Sequence, residues 1–274
     1  MAWKIKNGAV SLGGTKMYYA AFGSGKKNLI IFPGISDGLT TMRGKALLLA
    51  NTYSVFFDEY RVFLFSRKES MPRGYSIRDM AEDQARAMEK LGIKKASFLG
   101  ISQGGMIAEY VAIDHPKLVE KLVLAVTVPA ANKLIRRNLK VWADLAKRKL
   151  HRELMIDIAE KSFSSGFLRS HRKYYPLFGL IGKPKNYRRL FINIEATFHF
   201  DARDKVSTIS CPTLVIGGKL DKTVGVEGSY DLHEKIPDSR LYIYPDFGHS
   251  LYMEAKDFYK RVLDFLEGDP AIKT

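Results

Sequence analysis

Six short apolar runs punctuate the chain: Leu29–Phe32, Val62–Phe65, Ala96–Leu99, Leu122–Val126, Thr213–Ile216 and Leu241–Tyr244. Each is too short for a helix and too continuously apolar for a strand with one wet face. Strands buried on both faces read this way, so the runs predict a parallel sheet covered by helices. Between them, Ile77, Met80, Ala81, Ala85, Met88 and Leu91 recur at the period of an amphipathic helix, and Gly92 supplies its stop. Met106, Ile107, Tyr110 and Val111 predict a second helix, ended by His115-Pro116. Phe258, Val262, Phe265 and Leu266 predict a third. Regular alternation of strand and helix means an α/β domain with a doubly wound, mostly parallel sheet. Val10, Leu12, Met17, Tyr18 and Tyr19 around Gly13-Gly14 predict an antiparallel hairpin on the sheet edge.

The alternation stops at about Pro129 and resumes at about Cys211-Pro212. The stretch between is mostly helical in pattern, basic and aromatic. The expected division is a core of residues 1–128 and 207–274, with 129–206 inserted between two neighbouring strands as a basic helical cap.

Composition narrows the class. With 274 residues, 46% hydrophobic and 27% charged, the chain is an ordinary globular protein, not a disordered or collagen-like one. No run approaches the roughly 18 apolar residues of a membrane-spanning helix. Met1–Val10 carries no apolar leader pattern, so no secretory signal is expected. The single cysteine, Cys211, has no intrachain partner, which fits a reducing cytoplasm. The net charge is +15, and its distribution is uneven: from Lys133 to Leu190 there are 16 basic and 4 acidic residues. A nucleic-acid binder would spread its charge over a recognisable module, and none is present, so no nucleic-acid partner is expected. The concentrated charge suits anionic substrates or surfaces.

The segment Ala96–Gly105 reads ASFLGISQGG and contains Gly100-Ile101-Ser102-Gln103-Gly104. A serine at a sharp strand-to-helix turn needs small neighbours, because strand and helix pass close together there. The turn presents Oγ at a helix N-terminus, where amide dipoles favour negative charge. The motif follows an apolar strand, opens a helix and has a further glycine in Gly105, the context a nucleophile requires.

On this motif the chain resembles the α/β-hydrolase superfamily over nearly all its length apart from the insertion. The resemblance implies a triad in the order serine, acid, histidine. Thr213–Asp221 (TLVIGGKLD) places Asp221 in the loop after the strand that follows the insertion, and Tyr242–Tyr252 (YIYPDFGHSLY) places His249 after the last strand. Serine is a poor nucleophile at neutral pH; His249 would take its proton, and Asp221 would orient the imidazole and stabilise its cation. Other acids fit less well. Asp246 falls in a turn, Asp201 and Asp204 precede their strand, Glu227 begins a helix, and Thr127 stands where some relatives keep the acid. His115, His151, His171, His199 and His233 read as packed or solvated histidines.

The family draws its oxyanion donors from two backbone amides, here those of Gln103 and of Ile35 in Phe32-Pro33-Gly34-Ile35. Relatives commonly have His-Gly where this chain has Pro33-Gly34. Gly34 and Ser36 are candidate pocket residues. The loop Phe65–Ser76 (FSRKESMPRGYS) keeps an arginine and a serine of the family pattern Asp-x-Arg-Gly-x-Gly-x-Ser but not its acid, and no role follows from it. In the insertion, Leu134, Ile135, Leu139, Trp142, Leu145, Ala146 and Leu150 share one helical face ringed by bases. Such a helix either closes the site as a lid, with Trp142 in the pocket, or lies on an anionic membrane; its place in the family pattern favours the lid. Phe163, Phe167, Tyr174, Tyr175, Phe178 and Tyr187 either line an acyl pocket or form the cap's own core. The expected function is hydrolysis of a small-to-medium carboxylic ester, with neither metal nor organic cofactor. Carbon–carbon hydrolase, thioesterase and perhydrolase chemistry, or ligand binding without turnover, are the alternatives. Proline iminopeptidase activity is disfavoured because the oxyanion loop lacks its glycine run.

Overall fold

A computed structural model of the chain describes residues 4–268. Residues 1–3 and 269–274, which the expected core boundaries include, lie outside that range. Eight strands form one sheet: β1 (Ile5–Leu12), β2 (Thr15–Phe22), β3 (Lys27–Phe32), β4 (Tyr60–Phe65), β5 (Ala96–Ile101), β6 (Val119–Ala125), β7 (Thr213–Gly218) and β8 (Ser239–Tyr244). Their order across the sheet is β1-β2-β4-β3-β5-β6-β7-β8. β1 and β2 are antiparallel, and the run from β4 to β8 is parallel. The hairpin turns at Gly13 and Gly14, both at positive φ (54° and 77°), as a two-residue turn matched to strand twist requires.

β5 and β7 are buried at all six positions, which is why their sequences are continuously apolar. α2 (Ile77–Lys90), α3 (Gln103–Asp114) and α8 (Glu227–Lys235) cover one face of the sheet, with Met80, Met88, Ile107, Val111 and Leu232 in the core. The short α1 (Ala46–Leu49), α9 (Leu251–Glu254) and α10 (Phe258–Glu267) pack on the other, with Phe56, Phe258, Val262 and Phe265. A capping box at Ser76 and Asp79 starts α2, and Gly92 at φ 69° follows its end. One run differs from expectation: β6 stops at Ala125, because Val126 takes φ 48° while its amide bonds to the Ile216 carbonyl at 2.8 Å. A left-handed residue cannot continue a strand.

After β6 the chain leaves the sheet and builds α4 (Lys133–Lys147), α5 (His151–Ser162), α6 (Ser165–His171) and α7 (Arg188–Phe198) before returning to β7. The two ends of this excursion are tied together. Ala131 N–H donates to the Phe200 carbonyl at 2.9 Å and Ala202 N–H to the Pro129 carbonyl at 2.8 Å. Among the described residues no helix is long and apolar enough to cross a membrane.

Candidate active site

Ser102 stands between β5 and α3 with φ 55° and ψ −123°, a conformation that side-chain-bearing residues avoid and that costs on the order of 1–3 kcal/mol. Its neighbours hold it there. A Cβ on Gly104 would lie 2.0 Å from the Phe32 carbonyl oxygen, and one on Gly105 2.6 Å from the Thr127 side chain. A Cβ on Gly100 would come within 2.5 Å of the Gly105 Cα. The strand, the helix and the β3 loop therefore meet at contacts that only glycine permits. Ser102 N–H donates to the Ala125 carbonyl at 2.9 Å, fixing the turn to β6.

The three side chains expected to meet are together and buried. His249 Nε2 lies 2.9 Å from Ser102 Oγ, and His249 Nδ1 lies 2.8 Å from Asp221 Oδ2. An imidazole carrying its proton on Nδ1 satisfies both contacts: it donates to the carboxylate and accepts from the hydroxyl. Asp221 Oδ1 accepts from the backbone N–H groups of Thr223 (2.7 Å) and Val224 (2.9 Å), which locks the carboxylate. Gly218 lets the histidine loop pass, since a Cβ there would sit 2.5 Å from the Gly248 carbonyl oxygen. The competing acids stand elsewhere: Asp246 and Glu227 are exposed, and Asp201 pairs with Arg203.

Gln103 is the first residue of α3, and Ile35 the first of a 3-10 turn, Ile35–Gly38. Amides in a first turn have no partner within their own helix. Both residues line the cavity that Ser102 borders, with Met106, Ile135, Leu139, Trp142 and Val224. That cavity is narrow, about 20 Å3, and Asn138, Thr197 and Thr223 complete its lining. The apolar face of α4 forms its roof, with Ile135, Leu139, Trp142 and Ala146 buried. Asn132 caps α4 and donates to the Val224 carbonyl at 2.7 Å; Asn138 donates to the carbonyls of Lys222 and Thr223 at 3.0 Å. The roof is thus bonded to the loop that carries Asp221.

Two expected pocket residues line a second cavity. Gly34 and Ser36 line a separate, open cleft of about 540 Å3 with Tyr53, Tyr252 and Met253; Gly34 still touches the nucleophile, since a Cβ there would lie 3.4 Å from Ser102 Cβ. None of the six insertion aromatics lines the cavity at Ser102. Phe163, Phe167 and His171 stack on one another, and Tyr187 bonds to the buried His151.

Sequence reasoning passed over Arg67, in the loop after β4. Its side chain is fully buried and reaches three acceptors: the Pro33 carbonyl (2.7 Å), the Gly34 carbonyl (3.2 Å) and Gln103 Oε1 (2.7 Å). Burial lowers the guanidinium to about 10, with Asp37 opposing, so it remains a cation at neutral pH. Asp37 Oδ2 accepts from the Arg67 backbone N–H (2.9 Å) and from Arg189 of α7 (2.8 Å). Gln103 Nε2 in turn donates to the Asn193 carbonyl (2.8 Å) and Thr197 Oγ1 (2.7 Å), also of α7. The signal was the arginine of a loop whose surroundings depart from the family pattern.

Comparison with known proteins agrees with this architecture. The chain is 26% identical over 259 residues, 89% of each chain, to a 2-hydroxy-6-oxononadienedioate/2-hydroxy-6-oxononatrienedioate hydrolase from a Pseudomonas species. It is 26% identical over 202 residues, 70% of this chain and 80% of the relative, to the pimeloyl-[acyl-carrier protein] methyl ester esterase of Vibrio campbellii. The solved structure of an alpha/beta hydrolase enzyme from a Medee basin deep-sea metagenome library superposes with a TM-score of 0.82 at 18% identity, covering 97% of this chain and 99% of that one. The family model described as the alpha/beta hydrolase fold matches residues 27–256, and the chain belongs to that family.

Proposed function

We propose that the protein hydrolyses a small-to-medium carboxylic ester through an acyl-enzyme on Ser102. The observation that carries this reading is the continuous contact from Asp221 through His249 to Ser102 Oγ beside two first-turn amides. Ser102 Oγ attacks the ester carbonyl carbon as its proton passes to His249 Nε2. The N–H groups of Ile35 and Gln103 hold the negative oxygen of the tetrahedral intermediate. His249 then gives the proton to the departing alkoxide, and Asp221 stabilises the imidazolium between the two transfers. Water, activated by the same imidazole, attacks the acyl-enzyme and returns the free serine. Residues 129–206 act as the cap, with α4 as roof over the acyl group; the bonded neck at 129–131 and 200–202 supports that division.

The test is labelling by a fluorophosphonate probe together with turnover of a p-nitrophenyl ester panel. Both are expected in the wild type and absent in Ser102→Ala. A wild type that neither labels nor turns over would assign the fold to ligand binding. The carbon–carbon bond hydrolase among the relatives supports a second reading with the same triad. A 2-hydroxy-6-oxo-dienoate cleaved faster than every ester in the panel would favour it.

A further inference from the structure

The insertion carries a second exposed feature that the active site does not use. A 3-10 run, Arg172–Gly179, follows α6, and the hydrogen bond from Leu180 N–H to the Leu177 carbonyl (3.0 Å) continues it. Three residues per turn align Tyr174, Leu177 and Leu180 in one stripe. All three face solvent, exposed by 47%, 54% and 80%, and Ile181 beside them by 53%. The inward side of the segment is fully engaged. Arg172 donates to both carboxylate oxygens of Glu160 at 2.7 Å, and Tyr175 Oη donates to Glu160 Oε1 at 2.6 Å. His151 Nε2 meets the Ile181 carbonyl at 2.8 Å. The stripe is therefore held outward by a seated segment.

Its surroundings are cationic. From Ser165 to Leu190 there are seven basic residues and no acidic one. Arg169, Lys173, Lys183 and Lys185 are exposed, and Lys173 Nζ stands 5.1 Å from the Tyr174 ring centre. A Cβ at Gly182 would lie 3.9 Å from Thr40 Cγ2, so the segment borders the stretch that follows the Ile35–Gly38 turn.

We propose that this stripe docks the protein on an anionic phospholipid surface. Leu177, Leu180 and Ile181 enter the headgroup–acyl boundary, Tyr174 sits at its level, and the surrounding lysines and arginines meet lipid phosphates. Charge decides the occupant. Arg172 is paired with Glu160 and Arg189 with Asp37, but Arg169, Lys173, Lys183, Lys185 and Arg188 are exposed, and a second copy of this face would set these five bases against their own like. A nucleic acid would meet the cations but give no return for burying leucine and isoleucine. A lipid surface answers both halves of the patch. α4, the membrane candidate from the sequence, is excluded from this role because its apolar face already roofs the cavity.

The experiment is co-sedimentation of the full chain with phosphatidylcholine vesicles, with and without phosphatidylglycerol, at low and high salt. Binding is expected only with phosphatidylglycerol and weakens as salt rises. Leu177→Ser/Leu180→Ser is expected to bind at least about ten-fold more weakly at an unchanged melting temperature, and Lys183→Glu/Lys185→Glu to lose binding to the phosphatidylglycerol vesicles. A wild type left in the supernatant with anionic vesicles overturns the proposal, as does a leucine variant that sediments like the wild type. Self-association abolished by the leucine substitutions, without vesicle binding, overturns it in favour of a second copy.

Discussion

Arg67 Nη2 lies 2.7 Å from Gln103 Oε1, while Nη1 of the same guanidinium lies 2.7 Å from the Pro33 carbonyl oxygen. One buried cation therefore holds both loops whose amides flank Ser102. It also bonds the Gly34 carbonyl, whose peptide carries the Ile35 N–H. A cation on a carbonyl oxygen draws charge from the far end of that peptide and makes its N–H a stronger donor. Through Asp37 and Gln103 the same cluster reaches Arg189, Asn193 and Thr197, so α7 is fastened to the base of the site.

Replacing Arg67 with Met is expected to lower kcat about ten- to a hundred-fold with a smaller change in KM, since under the proposed mechanism the loss falls on the donors that hold the tetrahedral intermediate. Arg67→Lys keeps the charge but loses the fork that spans three acceptors, and should fall between. Steady-state kinetics on a p-nitrophenyl ester, read beside thermal melts, checks this. An Arg67→Met enzyme that melts early but turns over normally would reduce the arginine to a packing role.

Gly104→Ala is expected to abolish activity and to destabilise the fold by more than about 3 kcal/mol, because the new methyl meets backbone, the Phe32 carbonyl at 2.0 Å, which cannot rotate away. Gly179→Ala is the contrasting case. Its Cβ would rest 3.6 Å from Arg152 Cβ, ordinary contact, and the expected change is within about 0.5 kcal/mol. Melting curves of the two variants make the comparison.

The sheet and the serine turn were legible because each rests on local pattern. Continuous apolar runs announce strands buried on both faces, and Gly100, Gly104 and Gly105 around Ser102 announce a turn with no room for side chains. Asp221 and His249 could be singled out because the family resemblance implies the order serine, acid, histidine and the strands that the last two follow. Arg67 was not legible, since its value lies in three acceptors that are distant in sequence or contributed by backbone. Ser36 shows a related effect: one residue past Ile35, the 3-10 turn carries it into the neighbouring cleft, which the local pattern does not announce. The insertion aromatics were left undecided because composition does not tell a pocket wall from a stack such as Phe163–Phe167–His171.

Asp221→Asn should lower kcat roughly 10³–10⁴-fold. The backbone amides of Thr223 and Val224 require an acceptor on one side of this group, so the carboxamide oxygen is drawn to them and its NH2 turns toward His249 Nδ1. That forces the imidazole proton to Nε2, where it opposes Ser102 Oγ–H. Nitrogen-detected NMR of the histidine ring, alongside kinetics, would report the exchanged tautomer.

Trp142→Ala is expected to move ester preference toward longer acyl chains. The indole roofs the narrow cavity and is anchored by its N–H to Asp157 Oδ2 at 2.7 Å, so its removal opens space directly above the nucleophile. The ratio of kcat/KM for octanoate and acetate p-nitrophenyl esters should rise at least about ten-fold, in line with burial of the additional methylenes. An unchanged ratio would place the acyl group elsewhere, with the cleft beside Gly34 the next candidate.

Glu109 offers a test in stability rather than rate. It lies on α3, fully buried, and burial pushes its carboxyl well above the ordinary range, with the Thr127 hydroxyl opposing. The folded protein therefore keeps this proton over a pH range in which the unfolded chain releases it, starting near the reference value of about 4.3. Above that value the unfolded state binds fewer protons than the folded one, so this group makes stability fall as pH rises, until the folded carboxyl itself ionises. Glu109→Gln removes the titration while keeping a neutral group of similar shape. The variant is expected to match the wild type near pH 4 and to melt progressively higher than it toward pH 8, and melting temperatures across that range would show it. Parallel curves for the two proteins would mean that Glu109 ionises in the folded state as readily as in the unfolded one.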